Sequence, residues 1–96
     1  MEIEAKLNII TITGNIKSIS DFAKIKSLVD NVTSQHKNIV VNIVNSLSVT
    51  SSVIGYFNKL ILKDKINVKM NVGSEQLINL LDDLNLTSTF KAKKNL

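Results

Sequence analysis

Two hydrophobic periods alternate along this chain, and the alternation restricts it to one class of fold. Ile39-Val40-Val41-Asn42-Ile43-Val44 is a nearly unbroken β-branched apolar run, the composition of a strand covered on both faces, as parallel strands usually are. Ile66-Asn67-Val68-Lys69-Met70-Asn71-Val72 alternates apolar and polar residues, which predicts a strand nearer an edge with one buried and one wetter face. Apolar residues at helical spacing separate and follow these runs. Phe22, Ile25, Leu28, Val29 and Val32 predict a helix from about Asp21 to Gln35, with Ser20 as its cap and Asp21 in its first turn. Ile54, Phe57, Leu60 and Ile61 predict a second helix, from Ser51 or Ser52 to about Lys63. Leu77, Leu80, Leu81 and Leu84 predict a third, capped by Ser74.

Residues Ile3 to Thr13 change parity near Lys6 to Asn8, the mark of two short strands or of one strand with a bulge. Leu86 to Phe90 are expected to close the domain as a short strand or extended arm. The order of elements is strand-strand-helix-strand-helix-strand-helix. It implies right-handed crossovers and an α/β domain over residues 1–90, with a mostly parallel four- to five-stranded sheet and about three to four helices. Residues 91–96, with Lys91, Lys93 and Lys94, are expected to be a basic C-terminal tail.

Composition narrows the function. The 96 residues have room for one modest core, which aromatic residues at 4% leave largely to Ile, Leu and Val. No apolar run approaches the roughly 20 residues that span a bilayer, so direct membrane insertion is not expected. Met1-Glu2-Ile3-Glu4 is acidic where a signal peptide would be basic, and a cytoplasmic location is the expectation. There is no cysteine, which removes disulfides and thiolate chemistry. All 12 basic residues are lysines; without arginine, the preferred bidentate reader of phosphate and guanine, the net charge of +4 does not point to nucleic acid.

Catalytic machinery is equally sparse. The one histidine, His36, falls in a polar turn with no triad partner nearby in sequence. Asp82 and Asp83 are adjacent, and adjacent helix positions point about 100° apart, so they form no facing acid/base pair. Gly14, Gly55 and Gly73 are isolated and make no phosphate-binding loop. The chain reads as a non-enzyme with neither cofactor nor metal. One feature remains: Thr50-Ser51-Ser52, where a strand gives way to a helix. One of these hydroxyls is expected to cap the helix. Ser51 or Ser52 there is also suited to regulation, because a phosphate would bring about −1.5 to −2 charges to the positive end of a helix.

Over roughly Glu2 to Phe90 the chain resembles the STAS domain of bacterial anti-sigma factor antagonists. That family's core pattern is an apolar strand ending Asp-Leu-Ser, a short loop, then Asp-Ser-Ser-Gly-Leu-Gly opening a helix. Val40-Val41-Asn42-Ile43-Val44 stands for the strand, and Thr50-Ser51-Ser52-Val53-Ile54-Gly55 falls in register for the helix opening. Gly14 matches the glycine after the second strand. Asn71-Val72-Gly73-Ser74, Leu80-Leu81, Leu84-Asn85-Leu86 and Phe90 resemble the last strand, helix and ending. The motif is degenerate: Thr50 and Asn42 replace two family aspartates and Val53 replaces a glycine.

The resemblance implies a non-catalytic binding domain whose partner is an anti-sigma factor or serine kinase of the ATPase-fold class. Ser51 occupies the position that the kinase phosphorylates, and Thr50, Ser51, Ser52, Val53 and Tyr56 are the expected partner-binding residues, with Val53 and Tyr56 in an exposed apolar patch. The alternative is a non-phosphorylated accessory subunit of a membrane transport ATPase, which the missing acids suit.

Overall fold

The structure, a computed structural model, describes all 96 residues. Nine elements follow one another: β1 Glu2–Lys6, β2 Ile9–Thr13, α1 Ile19–Thr33, β3 Asn38–Ile43, α2 Ser51–Leu62, β4 Asn67–Val72, α3 Glu75–Asp83, α4 Thr87–Phe90 and β5 Ala92–Lys94. The expected α/β class is observed, with five strands and four helices. The sheet, however, is mixed rather than mostly parallel. Its strands lie in chain order, β1-β2-β3-β4-β5. β1 runs antiparallel to β2, because the turn at Leu7 and Asn8 is too short for a crossover. β2–β3, β3–β4 and β4–β5 pair in parallel.

That strand order decides where the helices go. Each parallel step moves one strand in the same direction, and right-handed crossovers then carry every connecting helix over the same face. One sheet face is therefore the core and the other is bare. Ile10 and Ile12 of β2 align with Val41 and Ile43 of β3, which align with Met70 and Val72 of β4; all six are buried under the helices. The intervening residues Thr11, Val40, Asn42, Lys69 and Asn71 lie on the other face, half-buried or exposed. The expectation that β3 is covered on both faces is thus corrected. β4 lies nearer an edge, as expected, with one buried and one wetter face, and β5 pairs beyond it.

Two further expectations change at the C-terminus. Leu86 is the N-cap of the short helix α4, Thr87–Phe90, where a strand or extended arm was expected. The basic tail is partly sheet: Ala92 to Lys94 pair with Met70 to Val72. The reversal between them turns on Lys91, whose φ of +50° ends α4 in the left-handed region. Phe90 is buried immediately before it, so the chain is pinned to the core just where the last strand begins.

All four aromatic residues link helices. Phe22 of α1 meets Tyr56 of α2 edge-on at 6.1 Å, Tyr56 meets Phe57 at 5.5 Å, and Phe57 meets Phe90 of α4 at 6.2 Å. Edge-to-face geometry at this spacing is the favourable one for aromatic rings. The Tyr56 hydroxyl also donates to Asp30 Oδ1 on α1 at 2.5 Å, so α1 and α2 are joined by a polar bond as well as by packing. Burial and the neighbouring Asp30 carboxylate push the Tyr56 phenol well above its ordinary range.

Candidate functional site

Parallel strands with helices between them gather their outgoing loops at one end, and in open sheets of this kind ligands and partners usually meet that end. Here it carries the loops from β2 to α1, β3 to α2 and β4 to α3. The first two are laced together. Gly14 N–H donates to Asn45 Oδ1 at 2.6 Å, Leu47 N–H to Asn15 Oδ1 at 2.9 Å, and Ile16 N–H to Ser46 Oγ at 3.0 Å. Ser46 is fully buried and its hydroxyl donates onward to the Ser48 carbonyl at 2.6 Å. The third loop joins through Gly73, whose N–H donates to the Ile43 carbonyl at 2.9 Å. These partners lie about thirty positions apart, so nothing in local spacing announces them.

On that braced platform stands the Thr50-Ser51-Ser52 segment. Thr50 has extended backbone and its hydroxyl accepts from Val53 N–H at 3.3 Å, so Thr50 is the cap and α2 begins at Ser51. Ser51 and Ser52 are both exposed, and neither hydroxyl makes the capping bond. The register set by this cap corrects the expected apolar stripe. Val53, Tyr56, Phe57 and Leu60, at i, i+3, i+4 and i+7, are buried, while Ile54 and Ile61 are only half-buried. Phe57 and Leu60 face inward as expected, and Val53 and Tyr56 take the fully buried places expected for Ile54 and Ile61.

Val53 and Tyr56 were expected in an exposed patch. They are instead 2% and 5% exposed, committed to the core and to Asp30, and are not available on the surface. The exposed apolar residues of this end are others: Ile19 at 88%, Leu47 at 48% and Val44 at 38%. A shallow cleft of about 650 Å³ lies between Leu47 and Ser48 on one wall and Gln76, Asn79, Leu80 and Asp83 on the other. Sequence reading passes over Ile19 because it falls outside the expected helix.

The entry to α1 explains that miss. Ser18, not Ser20, is the cap: its hydroxyl accepts from Asp21 N–H at 3.0 Å, and Asp21 Oδ2 accepts from Ser18 N–H at 3.2 Å and from Lys17 N–H at 3.0 Å. This reciprocal pair needs an acid three residues after the cap, which Ser18 has and Ser20 lacks. The backbone N–H of Lys17 above all, with the Ser18 bonds, holds the Asp21 carboxyl below the ordinary aspartate range. Asn42, which stands where the resemblance implies an aspartate, sits on the bare face and accepts from Asn71 Nδ2 at 2.9 Å.

His36 is half-buried in the turn before β3, and no three His, Asp or Glu side chains gather to hold a metal ion. No helix is long and apolar enough to cross a membrane. Comparison with family models, curated proteins and solved structures finds no match to this chain.

Proposed function

We propose that this chain is a non-catalytic, STAS-type regulatory domain that binds an anti-sigma factor or serine kinase of the ATPase-fold class through the Ser51 end. One observation carries the reading. Thr50 does the capping, so Ser51 keeps an exposed hydroxyl that the fold does not use, beside the free N–H groups of the helix start. A phosphate there is compatible with the helix dipole in the free domain and opposes docking of a partner onto the same surface. Exposed Ile19 and Leu47 supply apolar area at the same end of the sheet, in place of Val53 and Tyr56.

The test is capture of partners from native cells on the wild-type chain, on Ser51→Asp and on Ser51→Ala. Recovery of a serine kinase or anti-sigma factor by wild type and Ser51→Ala, with loss on Ser51→Asp, supports the switch. Equal recovery of such a partner by all three removes Ser51 from the mechanism. Recovery of a transport ATPase, unaffected by Ser51→Asp, establishes instead the accessory-subunit reading. That reading is favoured by Asn42, whose amide is committed to Asn71 on the bare face rather than to a switch at Ser51.

A further inference from the structure

The bare face of the sheet ends, along β4 and β5, in a cavity of about 500 Å³. Lysines, amides and hydroxyls make up all but one of its lining residues. Lys69, Lys91 and Lys93 line it together with Asn71, Asn95 and Ser88, and no carboxylate is among the lining residues. The ion pairs of the molecule lie elsewhere, between Lys26 and Asp30 on α1 and between Lys59 and Asp64 beyond α2. One acid approaches from α3: Asp82 accepts from the Thr87 hydroxyl at 3.4 Å at the cavity wall. Lys69, Lys91 and Lys93 thus line one concave site, and none of the three forms an ion pair with a protein carboxylate.

The site is also braced. The left-handed backbone at Lys91 turns its side chain back along the sheet, where Nζ donates to Asn67 Oδ1 at 2.6 Å. Asn67 Nδ2 in turn donates to Asn38 Oδ1 at 2.8 Å. A second ladder runs from Asn95 Nδ2 to Asn71 Oδ1 at 3.3 Å and from Asn71 Nδ2 to Asn42 Oδ1 at 2.9 Å. These cross-strand bonds hold the cavity wall in place before any ligand arrives, which lowers the ordering cost of binding.

We propose that this cavity binds the phosphate groups of a small polyanion, a di- or triphosphate, either free or carried by a nucleotide. Its volume lies within the range of small-molecule sites. Lysine meets phosphate as a point charge rather than as a planar fork, so three lysines suit a ligand carrying several phosphates in a row. Ala92 is the one apolar residue of the lining, and every aromatic ring is engaged among the helices. A base therefore finds no surface to stack on, and the phosphates alone are recognised. The proposal stands apart from the docking reading at Ser51 and does not depend on it.

The experiment titrates the full, isotope-labelled chain with inorganic tripolyphosphate and, separately, with ATP at low ionic strength, following backbone amide shifts. Expected are saturable shifts confined to Lys69, Asn71, Thr87, Ser88 and residues 91–95, with the two ligands binding alike. Lys69→Gln, Lys91→Gln and Lys93→Gln should each weaken binding about tenfold, the loss of one charge-assisted contact. Lys24→Gln on α1 and Lys63→Gln after α2 should leave it unchanged. Lys69 and Lys93 are exposed, so those two variants carry the test should Lys91→Gln disturb the turn. Absence of saturable binding at millimolar tripolyphosphate overturns the proposal. Equal weakening by Lys24→Gln, or ATP binding far more tightly than tripolyphosphate, overturns it as well.

Discussion

Thr50 and Ser51 divide two jobs that neighbouring hydroxyls could have shared. Thr50→Ala should cost about 1 kcal/mol, the usual worth of a side-chain cap, whereas Ser51→Ala should stay within about 0.5 kcal/mol as an exposed substitution. Urea unfolding of the two variants checks this, and equal losses would mean that Ser51 shares the cap. Gly73 is constrained by its neighbours rather than by its conformation. A Cβ there would lie 1.9 Å from the Val44 carbonyl oxygen, and because the obstacle is backbone no rotamer change relieves it. Gly73→Ala should therefore destabilise by about 3 kcal/mol, the upper end for overpacking, measurable as a lower denaturant midpoint.

Asp21 gives the stability a pH dependence of known sign. Its carboxyl is held below its ordinary value in the folded chain by the Lys17 N–H first, then by Ser18. The stabilisation it contributes is present above the unfolded pKa of about 3.9 and is lost as pH falls through the lower folded value. Thermal melts of the wild type should fall between about pH 5 and pH 2 more steeply than those of Asp21→Asn. Parallel curves would show that the capping carboxylate is not the group responsible.

At the scale of elements, the revealing one is β5. Periodicity cannot find a strand of three residues, two of them lysine. It forms because the buried Phe90 and the left-handed Lys91 deliver the chain to the open edge of β4, whose N–H and C=O groups otherwise lack partners. Met70 N–H donates to the Lys91 carbonyl at 3.3 Å and Asn95 N–H to the Val72 carbonyl at 3.2 Å. A chain ending at Lys91 should melt on the order of 10 °C lower, about 2 kcal/mol for a domain of this size. An unchanged melting temperature would show that the strand adds nothing to the sheet. The helices behave differently, since their caps at Ser18, Thr50 and Ser74 are local bonds over three residues. The cap at Ser74 was legible as such. The one at Ser18 lies two residues before the expected cap, Ser20, and the acid at the third following position is its signal.

The whole molecule has a layered order of stability. β3 and β4 sit between other strands and beneath the helices, while β1 and β5 are edges with one neighbour each. Amide exchange should therefore be slowest in Val41, Ile43 and Met70 and fastest in Glu2 to Lys6 and Ala92 to Lys94; slow exchange at β5 would place the cooperative core elsewhere. The alternation of β-branched and helical segments determined the α/β class, the order of the larger elements and most of the residues that became the core, because burying an apolar face is a local demand with a fixed period. Tertiary structure decided the rest. It brought Asn15, Asn45 and Ser46 together to brace the Ser51 end, buried Val53 and Tyr56 that were expected on the surface, and left one sheet face bare with lysines along its edge. Those outcomes depend on which strand lies beside which and on the exact rotation of a helix about its axis. Both are settled by contacts between residues far apart in the chain, and a pattern read along the sequence contains neither.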